Sequence, residues 1–255
     1  MKVCVLGSGS SGNSTFVEHQ STRLLIDAGL RAKEIVERLA RIQVDPSTLD
    51  GIFISHEHHD HIGGAGPLAR KFKIPIYISP RALDHTSSAL QHLNHVPIGS
   101  DLPLQIGSIT VTPFSTPHDS VDPLAFALRA GSSRVCIITD IGFIPETVRN
   151  RLRNSDLLVI ESNQDIEMLR TGPYPWSLKQ RVMSNYGHLS NEALAYFFTE
   201  HIDGIQRKIM LTHLSRQNNH PQIAYVSATR ALEKKCRDAE ILISMQDEIS
   251  EMLEL

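Results

Sequence analysis

Apolar residues recur in short runs along the chain, and their spacing predicts alternating strands and helices. Two neighbouring β-rich runs, 15–18 and 23–26, predict a hairpin. Apolar positions recur at helical spacing over 32–42. The remaining predicted strands are 2–6, 51–55, 74–79, 109–114, 124–129, 135–139, 157–161, 209–211 and 241–244, and the remaining predicted helices are 64–72, 191–202 and 223–235. Hairpins in each half with helices between them predict a layered α+β sandwich.

Length and composition predict one soluble globular domain spanning residues 1–255. Hydrophobic residues make up 41% of the chain and charged residues 21%, and no repeat, low-complexity tract or linker divides it. No apolar run approaches the roughly 18 residues of a membrane span. The first ten residues, MKVCVLGSGS, lack the apolar stretch of about 7–15 residues that a secretory signal needs. We therefore expect a cytoplasmic protein with no membrane contact.

Charge and cysteine content exclude two further classes of protein. The net charge is −3, from 25 basic and 28 acidic residues, so no basic field coats nucleic acid non-specifically. A nuclease that holds its substrate through metals is still compatible with that charge. Cys4, Cys136 and Cys236 are too few and too scattered for a disulfide framework or a zinc knuckle. We expect buried packing residues with no disulfide partner.

A glycine-rich segment near the N-terminus matches the dinucleotide-binding pattern G-x-G-x-x-G at residues 7–12, with Asp27 at the expected distance. That function needs a helix starting at the third glycine, so that its backbone N–H groups face a pyrophosphate. The residues that follow, NSTFVEHQSTRLLID, are β-branched and broken by a turn. The segment is therefore predicted to form a tight polar edge of a site, with Ser11 and Asn13 as candidate substrate contacts.

The chain has 13 histidines against 5 tyrosines, and the densest cluster is HEHHDH at residues 56–61, directly after a predicted strand. Residues two apart in an extended segment project to the same side, so His56 and His58 can hold one ion together. Asp60 and His61 then turn toward a second position. Four imidazole or carboxylate ligands within six residues suit two borderline divalent cations.

Three more candidate ligands lie at the ends of later predicted strands: His118, Asp140 and His213. The competing interpretation of the cluster is a solvated histidine-rich loop. The H-x-H-x-D-H spacing together with partners at strand ends favours the metal site.

These residues carry a family resemblance. HEHHDHIGG resembles the signature of the metallo-β-lactamase superfamily. The motifs GSGSSGNS, LIDAG, HEHHDHIGG, PHDSVDP, ITDIG, ESN, GHLSNEA and LTHLSRQNN, in this order between residues 7 and 219, resemble the YycJ/WalJ branch. The resemblance implies a four-layer αββα sandwich with a dinuclear site between two sheets, holding Zn, Mn or Fe. It also implies a metal-dependent phosphodiesterase, with DNA exonuclease activity in some members.

The resemblance assigns ligands residue by residue. His56, His58 and His118 would bind one metal, Asp60, His61 and His213 the other, and Asp140 would bridge them. His59 occupies the variable position of the motif and is not expected to be a ligand. One departure is Gln164, where the branch usually has histidine in ESNHD, so an acid, base or ligand role at this position is in doubt.

The implied chemistry is phosphodiester hydrolysis. Two cations that share a solvent molecule lower its pKa enough to supply hydroxide, with Asp60 in the catalytic set. The leaving alkoxide needs a proton, for which His188 is the candidate, with Glu161 as the carboxylate partner that superfamily nucleases are thought to use. Ser215 and Arg216 are candidate phosphate contacts.

Two other functions stay open from the sequence. A small-molecule hydrolase of thioesters or simple phosphodiesters uses the same ligand set, and the complete ligand set disfavours a non-catalytic interaction protein. DNA is the expected substrate and partner, but the sequence leaves DNA against RNA, the cleavage polarity and the oligomeric state open.

Overall fold

A computed structural model describes residues 1–202, 207–235 and 239–255. The described strands are β1 (Lys2–Gly7), β2 (Ser14–His19), β3 (Thr22–Ile26), β4 (Gly51–Phe53), β5 (Ile76–Ile78), β6 (His95–Pro97), β7 (Leu104–Ile106), β8 (Ile109–Ser115), β9 (Leu124–Ala130), β10 (Ser133–Ile138), β11 (Leu157–Glu161), β12 (Lys208–Thr212), β13 (Glu240–Ile243) and β14 (Leu253–Glu254). The described α-helices are α1 (Ala32–Arg41), α2 (His59–Ile62), α3 (Ala65–Phe72), α4 (Pro80–Asp84), α5 (Ser88–Gln91), α6 (Glu146–Leu152), α7 (Ile166–Thr171), α8 (Trp176–Val182), α9 (Asn191–Glu200) and α10 (Pro221–Glu233).

The chain divides into two compact units. The first unit consists of Met1–Ser115, Ser120–Ser133 and Met245–Leu255, and the second of Thr116–Asp119 and Arg134–Ser244. The prediction of one domain spanning the whole chain stays a prediction.

The first unit is built on a seven-stranded mixed sheet with the order β14-β1-β2-β3-β4-β5-β6. The hairpin β2–β3 is antiparallel and sets Phe16 opposite Leu25, whereas β3 to β6 pair in parallel. Helix α1 buries Ile35 and Leu39 in the same apolar cluster as Phe16. Each such side chain contributes about 1.5–3 kcal/mol when it is removed from water. The buried face of α1 therefore helps to hold the sheet whose strand ends carry the histidine cluster.

The second seven-stranded sheet has its antiparallel strands β7, β8 and β9 in the first unit and its parallel strands β10 to β13 in the second. Strands β10, β11 and β12 are almost wholly buried, as near-continuous apolar runs in a parallel sheet require. Because parallel strands end at the same edge, Asp140, Glu161 and His213 come to the carboxyl edge of neighbouring strands. This edge positions the candidate site residues of the second unit.

The sequence predicted the α+β class and most long elements, including the β2–β3 hairpin, α1, α9 and α10, and these are confirmed. A strand, β2, begins at Ser14 directly after the glycine-rich segment, which confirms that the dinucleotide-binding helix is missing there. Pattern reading missed the short helices α2 and α4 to α8 and the edge strands β6, β7 and β14. These pieces span at most seven residues each, too few for a periodic signal.

Cys4 and Cys136 are buried thiols in β1 and β10, in line with the expected packing role. Cys236 lies outside the described residues. Across the described ranges, none of the helices combines the length and the apolar character that a bilayer crossing requires.

Candidate functional site

Four side chains that follow β4 form what we call the first ligand set: His56, His58, Asp60 and His61. The backbone at His58 is extended and caps α2, so the segment changes from extended to helical at this residue. His56 and His61 are buried, whereas His59 is exposed. The exposure of His59 agrees with the expectation that it is not a ligand.

The buried carboxylate of Asp27, at the end of β3, orients this set. Its Oδ1 atom accepts the backbone N–H of Ser55 at 2.8 Å, and its Oδ2 atom accepts Nδ1 of His61 at 2.8 Å and the Ser55 hydroxyl at 2.9 Å. The Ser55 Oγ atom lies 3.0 Å from Nδ1 of His56. Since an ionised carboxylate only accepts, Nδ1 carries the proton in His61, and through the hydroxyl also in His56. Neither ring then carries a proton on Nε2, and the Asn13 amide nitrogen lies 3.1 Å from that atom of His61.

The spacing of donor atoms in the first ligand set fits a divalent cation. Nε2 of His56 lies 3.1 Å from Nδ1 of His58, and Nε2 of His61 lies 3.6 Å from Oδ2 of Asp60. Two ligands of a tetrahedral zinc ion at about 2.0–2.1 Å are roughly 3.4 Å apart. Two imidazole nitrogens that face each other at this distance need a proton or a cation between their lone pairs. The donor set therefore matches the chemistry that a metal requires.

A second ligand set lies in the second unit and comprises His118, Asp140 and His213, with Glu161 and His188 beside them. One potential ligand atom from each of Asp140, Glu161, His188 and His213 lies within 4.8 Å of all the others. The His188 side chain is 23% exposed, whereas Glu161 is 0% exposed. In this set, His188 is therefore the side chain that solvent reaches most readily.

All four hydrogen-bonding positions of the Glu161 carboxylate are used. Oε1 accepts Nδ1 of His188 and Nδ1 of His213, each at 2.7 Å. Oε2 accepts the backbone N–H groups of Ile141 and Leu189, each at 3.0 Å. One buried carboxylate thus orients two imidazole rings and is hydrogen-bonded to the two loops that contain Ile141 and Leu189.

The charges follow from these contacts. Burial by itself would raise the pKa of Glu161, but the charge of His188 and the hydrogen bonds from His188 and His213 outweigh it and hold that pKa at about 2. Burial would lower the pKa of His188, but the ion pair with Glu161 reverses this and raises it. Burial lowers the pKa of His118, which favours the neutral imidazole that binds metals.

His118 is oriented in the same way as His56 and His61, with its Nδ1 atom toward an acceptor. Its Nδ1 atom lies 3.1 Å from the carbonyl oxygen of Gly187, which can only accept, and its Nε2 atom lies 3.8 Å from Oδ1 of Asp140. In His56, His61, His118 and His213 the Nδ1 atom therefore faces an acceptor. Metal-binding histidines are oriented in this way by carboxylates, carbonyls and hydroxyls.

Three residues at the ends of site strands have left-handed backbones: Asp27, Asp140 and His213, with φ of 59°, 51° and 56°. This conformation is unfavourable for residues other than glycine, although aspartate and histidine tolerate it better than most. Such conformations persist where the surrounding contacts hold them, and they concentrate at functional sites. Here each one redirects the chain as a strand ends, so that its side chain joins the site.

The other predicted site residues differ in their surroundings. Ser11 and Arg216 are exposed. Asn13 is buried, and its Oδ1 atom accepts the Ser8 hydroxyl and the Gly9 N–H, both at 2.9 Å, while its Nδ2 atom lies 3.1 Å from Nε2 of His61. The Ser215 hydroxyl accepts the Asn218 N–H at 3.2 Å. A substrate-binding role for these four residues stays a prediction.

Gln164 has a structural place in the second unit. Its side chain is buried and its Nε2 atom donates to the carbonyl oxygen of His188 at 3.1 Å, while its backbone forms a parallel bridge to Ser190. The amide therefore supports the loop that carries His188 and does so without a titratable group.

Sequence reasoning missed Asp27 and Ser55 as residues that orient the ligands. From the sequence, Asp27 is considered only as the acidic residue of the dinucleotide-binding pattern. Its position at the end of a predicted buried strand, in LIDAG, could have indicated a site residue. Gly29 in the same motif has a packing reason, because an added Cβ would overlap the Asp60 carbonyl group.

Comparisons with known proteins agree with this geometry. The family described as "Beta-lactamase superfamily domain" matches residues 22–214. The chain is 35% identical over 238 residues to Exodeoxyribonuclease YycJ of Bacillus anthracis, covering 91% of this chain and 89% of that protein. It is 36% identical over 240 residues to Exodeoxyribonuclease WalJ of Streptococcus pneumoniae, covering 91% and 88%.

Among solved structures, the metallo-β-lactamase fold protein YhfI from Bacillus subtilis matches with a TM-score of 0.74 at 24% identity, covering 98% of this chain and 99% of that one. At this identity the likeness concerns the fold alone. The predicted metallo-β-lactamase-like α+β fold is confirmed, and the donor chemistry of the site indicates divalent metal binding.

Replacing Asp27 by alanine should weaken metal binding. The change removes the acceptor for Nδ1 of His61 and for Ser55, and loss of such a partner costs about 10–100-fold in metal affinity. Competition with a chelator of known affinity measures this, and Asp27→Asn, which keeps one acceptor oxygen, should fall between alanine and wild type.

The matched control is Asp45→Ala. Its carboxylate accepts the Ser47 N–H at 2.9 Å at the start of a short turn, and metal affinity should not change. Wild-type affinity in a folded Asp27→Ala protein would contradict the orienting role.

Proposed function

This chain belongs to the β-lactamase superfamily, and on that premise we propose that it is a metal-dependent exodeoxyribonuclease that hydrolyses terminal phosphodiester bonds of DNA. The observation that carries the proposal is the pairing of His188 and His213 on the single carboxylate of Glu161. It sets a half-buried imidazole, suited to proton transfer, beside a buried imidazole suited to bind a metal. The names of two relatives at 35–36% identity over 91% of the chain support DNA as the substrate.

We propose two divalent cations per chain, with Zn, Mn and Fe as candidates. Their ligands would be the seven predicted residues: His56, His58, Asp60, His61, His118, Asp140 and His213. Seven donors exceed the three or four that one tetrahedral ion takes. When bound, such cations act as Lewis acids on a phosphoryl oxygen and lower the pKa of a water molecule.

The protein's own contribution is orientation and proton transfer. Nδ1 of His188 donates to Glu161, so its Nε2 atom is available to give a proton to the leaving alkoxide. The raised pKa of His188 favours the protonated form that a general acid needs. Asp60 belongs to the proposed catalytic set because its partly exposed carboxylate can accept a hydrogen bond from water.

The loop that carries His188 is well ordered by its surroundings. Ser190 caps α9 by accepting the Ala193 N–H at 3.1 Å. An added Cβ at Gly187 would overlap the Arg181 carbonyl oxygen, so backbone packs directly against this position. These contacts hold the backbone on both sides of His188, which supports its proposed role in proton transfer.

Substrate phosphates would meet the exposed edges of the site. Arg216 is exposed and directly follows Ser215 in the loop after β12, and guanidinium groups bind phosphate in a bidentate manner. We propose Arg216 and Ser215 as phosphate contacts and Ser11 and Asn13 as further substrate contacts. With a net charge of −3, binding would depend on these local contacts.

The direct test is nuclease activity. Mn²⁺-loaded protein incubated with end-labelled single- and double-stranded DNA and RNA should shorten DNA from an end, and chelation or Asp140→Ala should abolish this. The same preparations should contain more than one metal equivalent. Asp165→Ala, which removes a carboxylate that caps α7 at 2.8 Å from the Met168 N–H, is the matched control and should stay active.

Two results would contradict the proposal. If all polynucleotides are inert while thioesters or simple phosphodiesters turn over, the protein is a small-molecule hydrolase. A single metal equivalent, unchanged after metal addition, would exclude the dinuclear centre.

A separate prediction tests His188 as the proton donor. His188→Ala should slow cleavage of DNA by about 10²–10⁴-fold, because a basic alkoxide leaves poorly without a proton. Bis(p-nitrophenyl) phosphate should lose much less, since nitrophenolate departs unprotonated, and metal content should not change.

The control histidine is His201, which follows α9 and stacks edge-on against Tyr196. His201→Ala should leave both substrates unaffected. Equal losses of His188→Ala on both substrates would leave His188 with a structural or binding role only.

A further inference from the structure

Three loops of the second unit are tied together by hydrogen bonds around the predicted site residues. We call residues 116–119, 140–143 and 185–188 the tied loops. The Gly142 N–H donates to the Pro117 carbonyl oxygen at 2.9 Å, and the Asp119 N–H donates to the Tyr186 carbonyl oxygen at 2.9 Å. Each tied loop also carries one predicted site residue: His118, Asp140 or His188. The hydrogen bonds between the tied loops therefore also fix the other residues of these loops relative to the predicted site residues.

Two of the tied loops meet backbone to backbone at Gly142. An added Cβ there would overlap the Asn185 carbonyl group and would lie 2.7 Å from the Tyr186 nitrogen. Phe143 directly follows Gly142, and Tyr186 directly follows Asn185. The close contact thus brings the backbones that carry these two aromatic rings onto the same small surface.

Both aromatic rings face solvent. Phe143 is 41% exposed although its neighbours Ile141 and Ile144 are buried, and Tyr186 is 61% exposed although Gly187 is buried. A large aromatic ring that stays exposed does not contribute the favourable free energy that its burial would give. Exposed apolar side chains that are grouped on one surface, and not scattered singly, are typical of surfaces that contact a ligand.

A cation completes this surface. The exposed guanidinium of Arg181 donates to the carboxylate of Asp119, whose own backbone N–H donates to the Tyr186 carbonyl oxygen. The arginine is therefore held by Asp119, the residue that is hydrogen-bonded to the Tyr186 backbone. Proteins that hold single-stranded nucleic acid combine exposed aromatic rings, on which bases stack, with cations that follow the backbone.

We propose that Tyr186 and Phe143 stack on unpaired nucleobases next to the scissile phosphodiester, with Arg181 contacting the adjoining phosphate, so that the enzyme takes single-stranded DNA ends. This inference rests on the proposed function. Tyr186 lies two residues before His188 and Phe143 three after Asp140, so their Cα atoms are within about 8 Å and 11 Å of those residues. A paired base inside a duplex is stacked on both faces, and a terminal pair leaves only its outer face free, so two rings can each meet a base face only where the strand is unpaired.

The test measures the interaction between ring and base by removing the base from the substrate and, separately, the ring from the protein. Steady-state KM and kcat are determined on two end-labelled single-stranded oligodeoxynucleotides that differ only in having abasic tetrahydrofuran residues at the two terminal positions. Base stacking on a protein aromatic corresponds to about 5–150-fold in binding. The wild-type KM should therefore rise by about this factor when the bases are removed. Tyr186→Ala should show a similar rise on the full substrate and little further response to base removal.

Three variants make the result specific. Tyr186→Phe keeps the ring and should behave as wild type, and Phe143→Ala should repeat the loss at the second position. Tyr196→Ala is the matched control, since Tyr196 is equally exposed at 61% on α9. It should keep the wild-type response to base removal.

The outcomes separate the inference from the proposed function. If the wild-type protein shortens the full oligonucleotide but Tyr186→Ala and Phe143→Ala respond to base removal as the wild type does, stacking is wrong while the nuclease stands. If Tyr186→Phe is as impaired as Tyr186→Ala, the phenol hydroxyl and not the ring face is the contact, which also overturns stacking. If the wild-type protein cleaves no oligonucleotide, both proposals fail.

Discussion

Hydrogen bonds from imidazole to a buried carboxylate determine, within each unit, how the predicted site residues around that carboxylate are arranged. Asp27 holds His61, and His56 through Ser55, in the first unit, whereas Glu161 holds His188 and His213 in the second. Each carboxylate also accepts backbone N–H groups: that of Ser55 at Asp27, and those of Ile141 and Leu189 at Glu161. These bonds have a chemical consequence as well as a geometric one. Because Nδ1 donates to the carboxylate, Nε2 is the ring nitrogen proposed to bind a metal or to transfer a proton.

The fold supplies these carboxylates where they are needed. Asp27 directly follows β3 and Glu161 ends β11, and both strands are almost wholly buried. Left-handed backbone at Asp27, Asp140 and His213 then turns the side chains into the site as each strand ends. The unfavourable conformations are offset by the surrounding hydrogen bonds, which links the stability of the sheets to the order of the site.

The sequence predicted those parts of the molecule that depend on local pattern. The histidine cluster is dense and follows a buried strand, and the long elements such as α1 and the β2–β3 hairpin have clear periods. The roles of Asp27 and Gln164 depend on partners that lie 28 and 24 residues away in the chain, Ser55 and His188, and no single-sequence period encodes such contacts. The sequence did not predict the exposure of Phe143 either, since an aromatic residue in an apolar stretch such as IGFIP normally predicts burial.

The tautomers of the site histidines are the most direct measure of this arrangement. Nitrogen-15 NMR of histidine-labelled, metal-free protein at mildly alkaline pH distinguishes protonated from unprotonated ring nitrogens, with assignments from single histidine-to-glutamine variants. The bonds to Asp27, Gly187 and Glu161 predict that His61, His118 and His213 carry the proton on Nδ1 and leave Nε2 unprotonated. The Nε2–H tautomer at His61 and His213 would contradict the role assigned to the two carboxylates.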